Sequence, residues 1–184
     1  DKMGDHTAMY AGRLTLNTIP HLDLFGSILL PLFLFLVNSP ILFGSAKPVP
    51  VNFMNLRDPK RDMALVSLAG VGANFVIALA FALPIRFGLI SAGAPGYEIL
   101  LQAVLLNLVL GIFNLIPIPP LDGSKVLASL VSDEMMHRIL SLERYGFLLI
   151  ILFLYTGLIH SILVPLLGIL SRFFLGFSLF EPSY

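Results

Sequence analysis

The sequence contains no cysteine. That excludes a disulfide framework and any thiolate metal site, so a bound metal would need histidine, aspartate or glutamate. Charge is scarce too. Only 12% of the 184 residues are Asp, Glu, Lys or Arg, about half the ~25% usual for a soluble domain. Those charges cancel to a formal net of zero, which argues against a nucleic-acid partner. Residues 1–23 are polar and mixed in charge, unlike a signal peptide. Internal repeats and low-complexity tracts are absent. The four histidines, His6, His21, His137 and His160, include no pair at i, i+4, so they have no ligand spacing among themselves. The chain opens on Asp1 in what reads as mid-element, which leads us to expect a fragment of a longer protein.

What remains is apolar: 57% of the residues are hydrophobic and the mean hydropathy is +0.93. The expected fold class is an all-α integral membrane protein. Three stretches, at about 63–83, 99–116 and 146–170, approach the roughly 20 apolar residues needed to span a bilayer. Pro165 is expected to kink the third near its end. A shorter stretch at 24–37, broken by Pro31, reads as a re-entrant hairpin, with a tilted span reaching Phe43 as the alternative. Two short edge strands are expected. One is Arg13-Leu14-Thr15-Leu16, which alternates. The other is Lys47-Pro48-Val49-Pro50-Val51, where each proline pushes its predecessor into extended space. All 184 residues are read as one membrane-embedded domain.

Charge sets an orientation. Lys47, Arg57, Lys60 and Arg61 lie before the first span, and Lys125, Arg138 and Arg144 lie after the second. Two spans separate these groups, so they share a side, while the other side has only Arg86 and Arg172. The positive-inside bias places both long connections, and the end of the second span, towards the cytoplasm.

At that end lies Asn114-Leu115-Ile116-Pro117-Ile118-Pro119-Pro120-Leu121-Asp122-Gly123. A carboxylate so close to a span is costly unless paired or bound to a cation, which makes Asp122 a functional-site candidate. The plain alternative is an aspartate capping a short helix at 123–131. Asn114 either bonds backbone freed by the prolines or donates to a substrate carbonyl. In Gly70-Val71-Gly72-Ala73-Asn74, Gly70 suits close helix packing. Asn74, one turn on, either knits helices together or serves as an oxyanion or peptide-backbone donor.

Asn114-x-x-Pro117-x-x-Pro120-Leu121-Asp122-Gly123, with Gly70-x-x-x-Asn74 before it, resembles the site-2 protease family of intramembrane zinc metalloproteases. So do Tyr10-Ala11-Gly12-Arg13-Leu14-Thr15-Leu16-Asn17, Pro20-His21 and Ala46-Lys47-Pro48-Val49-Pro50-Val51-Asn52. The likeness is to compact members without a PDZ domain and covers about residues 2–129. It implies a zinc cofactor held by two histidines of a His-Glu-x-x-His helix and by the aspartate of Leu-Asp-Gly, with the Glu as general base. Carried over, Asp122 becomes a zinc ligand, while Asn74 and Asn114 become substrate-binding and oxyanion-stabilising residues. Lys47, Pro48, Val49, Pro50 and Val51 become an edge that holds the substrate, a transmembrane segment of another protein, by strand addition. The sequence contains no His-Glu-x-x-His; the resemblance would put that helix just upstream of Lys2. Val71 stands where the family usually has proline, and Ser45 where it usually has an aromatic residue. A non-catalytic membrane scaffold or pseudoprotease is the alternative function, and a channel or transporter the third, though no inverted repeat supports it.

Overall fold

In the computed structural model, the structure describes residues 56–179 and, before them, residues 4–13, 15, 17, 22, 28, 32 and 36. The chain divides into two compact units, Asp1–Asp62 and Met63–Tyr184.

The first unit contains α1, Thr7–Tyr10. Asp5 Oδ1 accepts from the Thr7 backbone N–H at 3.1 Å, and the Thr7 hydroxyl also donates to it. The expected strand at Arg13–Leu16 is corrected here. Arg13 N donates back to the Ala8 carbonyl at 2.9 Å, closing the end of the helical turn. Asn17 N donates to Thr15 Oγ1 at 3.1 Å, a local turn in which the side chain takes the place of a ladder partner. There is no strand among the described residues. The apolar stretch at 24–37 lies outside the described residues except at Ile28, Leu32 and Leu36, and the segment Lys47–Val51 lies outside them entirely.

Helix α2, Pro59–Arg86, starts on a reciprocal cap. Asp58 Oδ1 accepts from Arg61 N, and Asp58 N donates to Asp62 Oδ2, each at 3.2 Å. Pro59 sits at the first helical position, where its missing N–H costs nothing.

Among the described residues the second unit contains the rest of α2 and five further helices: α3 (Tyr97–Leu115), α4 (Asp122–Ser129), α5 (Asp133–Ser141), α6 (Gly146–Tyr155) and α7 (Leu158–Leu175). A 3₁₀ turn, Leu142–Tyr145, joins α5 to α6. Among the described residues three helices are long and apolar enough to cross a membrane: α2, α3 and α7. Only 17%, 22% and 28% of their apolar windows are buried, so most of that apolar surface faces outward. Water would not tolerate such a surface and lipid does. The protein is a membrane protein.

The third span differs from expectation. The stretch 146–170 is not one helix kinked at Pro165; it breaks at Thr156–Gly157, and Pro165 lies inside the unbroken α7. Gly157 has φ +74°, a left-handed conformation that ends a helix at little cost for glycine alone. Helix α6 has 10 residues, about 15 Å at 1.5 Å per residue, too short to span.

Two buried clusters order the second unit. In one, Ala78, Ala82 and Ile85 of α2 meet Val104, Leu108 and Ile112 of α3 and Leu167, Phe174 and Leu175 of α7. In the other, Ile116, Ile118 and Leu121 meet Ile159 of α7, with Leu149, Ile150 and Phe153 of α6 packed on it. Helix α7 thus runs from the Asp122 end towards the far end of α2. There the Arg86 guanidinium donates to the Phe173 carbonyl, so α2 and α7 end together and α3 runs the opposite way. Ala78, Ala82 and Val104 are 0% exposed, so the centre of this cluster is closed to lipid.

Candidate active site

Helix α3 stops before Pro117, with Ile116 already extended. Two tight turns follow, closed by Ile118 N to Ile116 O (2.8 Å) and Leu121 N to Ile118 O (2.9 Å). Helix α4 then begins at Asp122 itself, and its cap position, Leu121, has no side-chain cap bond. The capping alternative for Asp122 is therefore corrected. The helix is Asp122–Ser129, and the carbonyl of Leu121 accepts from Ser124 N (3.1 Å) and Ser124 Oγ (2.7 Å). The carboxylate is left to face outward from the first turn, a favourable place for a negative charge.

Glycine makes this placement possible. A Cβ on Gly123 would fall 2.1 Å from the Leu115 carbonyl oxygen and 2.6 Å from that of Ile116. Helix α4 starts directly against the last carbonyls of α3, and only a residue without a side chain fits between them. Gly146, at the start of α6, is constrained in the same way: its Cβ would fall 2.5 Å from Pro120 Cδ. That helix start thus closes on the loop from the other side.

Held in this way, Asp122 lies over α2. Its Oδ2 would be 3.7 Å from a Cβ at Gly70, ordinary contact distance. Its Oδ1 is 3.4 Å from Lys125 Nζ, with the side chains of Lys125 and Asp122 18% and 30% exposed. The loop of the second span and the Gly70-x-x-x-Asn74 stripe, far apart in sequence, are thereby brought together. Asn74 is half-buried and lies on the same side of α2 as Gly70 and Ala78, one turn from each. Among the described residues its amide has no hydrogen-bond partner, so it does not knit the described helices together. Asn114 Nδ2 donates to the Leu110 carbonyl at 2.9 Å. That carbonyl belongs to its own helix and is not one freed by the prolines, so the plain reading of Asn114 is corrected in its partner. Among the described residues, one proton and the amide oxygen of Asn114 have no partner.

Asn107 is not among the residues that the sequence singles out. It sits in the middle of α3 and donates from Nδ2 to the Ala103 carbonyl at 2.8 Å. The signal that could have found it is the seven-residue interval to Asn114, which puts two amides on one helix face.

A metal is a separate question. Among the described residues no three of His, Cys, Asp and Glu lie together. His6, His137 and His160 are exposed, and His21 lies outside the described residues. One carboxylate beside a lysine fits a single ligand position, not a zinc site, so no chemical step through zinc follows from these residues alone.

Comparison with known proteins gives the family. A profile of "Peptidase family M50" matches residues 90–157. The chain is 38% identical over 174 residues to the Bacillus subtilis (strain 168) protein named "Putative zinc metalloprotease YwhC", an alignment covering 91% of this chain and 76% of that protein. It is 28% identical over 160 residues to "Putative zinc metalloprotease Rip2" of Mycolicibacterium smegmatis, covering 84% of this chain and 58% of that protein. No solved structure matches the chain significantly. With a packed Leu-Asp-Gly loop set against a Gly-x-x-x-Asn helix in the same membrane protein, the conclusion is that this chain belongs to peptidase family M50, the site-2 type of metalloprotease.

Proposed function

We propose that this chain forms the substrate-facing region of an intramembrane zinc metalloprotease that cleaves transmembrane segments of other proteins in regulated intramembrane proteolysis. The observation that carries this reading is the placement of Asp122: a carboxylate at the end of a span, lying over Gly70, which is one helical turn before Asn74, whose amide has no partner among the described residues. Asp122 supplies one ligand to zinc, and histidines outside this sequence supply the others. One carboxylate does not hold zinc, so the sequence as it stands is inactive alone. Bound zinc would polarise the scissile carbonyl and activate water. The residues of this chain do the rest. Asn74 and Asn114 donate to the oxygen on which charge develops. The segment Lys47–Val51, extended by its prolines, pairs with the unwound substrate through main-chain bonds. Both long connections face the cytoplasm of the cell membrane.

The test uses the full-length protein in lipid vesicles with a model transmembrane substrate. Asp122→Asn should abolish cleavage and deplete zinc while the protein stays membrane-inserted. A variant that keeps zinc and activity refutes the ligand assignment. A wild-type protein that binds the segment and never cleaves it, with zinc supplied, is the scaffold instead.

A further inference from the structure

Asn107 lies near the middle of a spanning helix, where an amide is expensive unless it has partners. Its face of α3 is defined by its neighbours. Val104 is 0% exposed, Gly111 is buried, and a Cβ on Gly111 would fall 2.8 Å from Phe75 Cε1 of α2. Val104, Asn107, Gly111 and Asn114 follow one another at intervals of three and four, so they lie along one side of α3, the two half-buried asparagines flanking buried Val104 and Gly111. Leu110 (40% exposed) lies three residues after Asn107 and four before Asn114, so the two amides sit at the edge of the buried face, where the lipid-facing side marked by Leu106 (58%) begins.

Asn107 and Asn114 are bonded alike. Each amide nitrogen donates one proton to the carbonyl four residues before it, at 2.8 and 2.9 Å. That bond fixes the side-chain rotamer and decides which end of the amide is nitrogen. It leaves one N–H and the oxygen of each amide without a partner among the described residues. Such a pair, one donor and one acceptor, matches a single peptide unit.

The spacing adds a second match. Seven helical residues rise about 10.5 Å, and three residues of extended chain cover about 10 Å. A substrate helix that unwinds in hydrocarbon exposes peptide groups that lipid cannot satisfy. We propose that Asn107 is a positioning residue that clamps one peptide unit of the unwound substrate, about three residues deeper in the membrane than the unit met at Asn114. The two amides would set how far a segment must unwind before it is held. This proposal rests on the protease reading above, and its test reads binding instead of cleavage so that the two can fail separately.

The measurement is the affinity of the full-length protein in lipid nanodiscs for model transmembrane peptides. Each peptide carries a single backbone ester in place of an amide, at successive positions. In the wild type, an ester at one position should weaken binding about threefold to tenfold, the range of one net hydrogen bond. Asn107→Ala should cause the same loss with the all-amide peptide and make the ester at that position silent. The position silenced by Asn114→Ala should lie three residues away. Asn107→Leu, an efficient helix former in an apolar span, replaces Ala if Ala lowers stability. Losses that add at every ester position, or an affinity unchanged by either variant, overturn the proposal. Binding with this coupling but without proteolysis upholds it and refutes the protease reading.

Discussion

Replacing Gly123 by alanine tests whether the Leu-Asp-Gly loop is a packing device. The new Cβ would sit 2.1 Å from the Leu115 carbonyl oxygen and 2.5 Å from its carbon. Real Cβ atoms do not approach within 3.0 Å, so α4 must withdraw by 3.0 − 2.1, roughly 0.9 Å. The obstacle is backbone at the end of α3 and cannot rotate away. Overpacking of this kind costs about 1–3 kcal/mol, against at most about 1 kcal/mol gained from alanine in a helix. The same shift carries Asp122 with it, and a displacement near 1 Å at a reacting centre costs on the order of 10²-fold in rate. Full-length Gly123→Ala should therefore melt a few degrees below the wild type, hold less zinc, and cleave about a hundredfold more slowly. Gly72→Ala is the control: nothing lies within 4 Å of its Cβ, and stability should rise or stay level. A Gly123→Ala protein with unchanged melting, zinc and rate would refute the packing argument.

Asn74→Ala should lower the rate per folded molecule by about 10²–10³ with no loss of melting temperature, because its amide has no partner among the described residues; Asn114→Ala should lower the rate alike while also losing the bond to the Leu110 carbonyl, and equal activity per folded molecule removes the catalytic role from either one. Glu143 Oε1 is buried with no hydrogen-bond partner among the described residues, so Glu143→Met should stabilise by about 1 kcal/mol; a lower melting temperature would show that the carboxylate is needed. Single cysteines at Asn55 and Ser132 should resist labelling from outside intact cells if both long connections are cytoplasmic, and outside labelling reverses the topology.

The spans at 63–83 and 99–116 are legible in the sequence because a long apolar run needs little else to identify it. Their counterparts, α2 (Pro59–Arg86) and α3 (Tyr97–Leu115), begin and end close by. The third run defeats the same reasoning. Hydropathy is uniform from Gly146 to Leu170, so nothing local separates a glycine that merely continues a helix from Gly157 at φ +74°. Proline is the visible breaker, yet Pro165 removes one hydrogen bond inside a packed helix and leaves it continuous. The connection between α3 and α6 reads in sequence as a loop with one short helix. It holds two, α4 and α5, the second started by Ser132 Oγ accepting from Met135 N at 3.4 Å.

In the candidate site, chemistry is easier to read than geometry. Asp122 stands out because a carboxylate at the end of a span demands a reason. The glycine after it looks like ordinary turn punctuation, whereas its role is to let two helix ends meet at carbonyl contact. That role depends on Leu115 and Ile116, whose positions only the fold reveals. Asn107 escapes sequence reasoning for the opposite reason. A single amide within an apolar span carries little signal, and its meaning comes from the face it shares with Asn114 and from Gly111 between them, where α2 presses Phe75 against the backbone. A motif can therefore mark which residue acts, while the residues that aim it are marked only by what they exclude. At Gly70, where Asp122 Oδ2 lies 3.7 Å from the ideal Cβ, the exclusion is mild, and a methyl group there would touch the carboxylate without moving it. At Gly123 and Gly146 a Cβ would fall within 2.6 Å of a neighbouring atom, so a neighbour must shift, and these two positions hold the Asp122 loop from both sides.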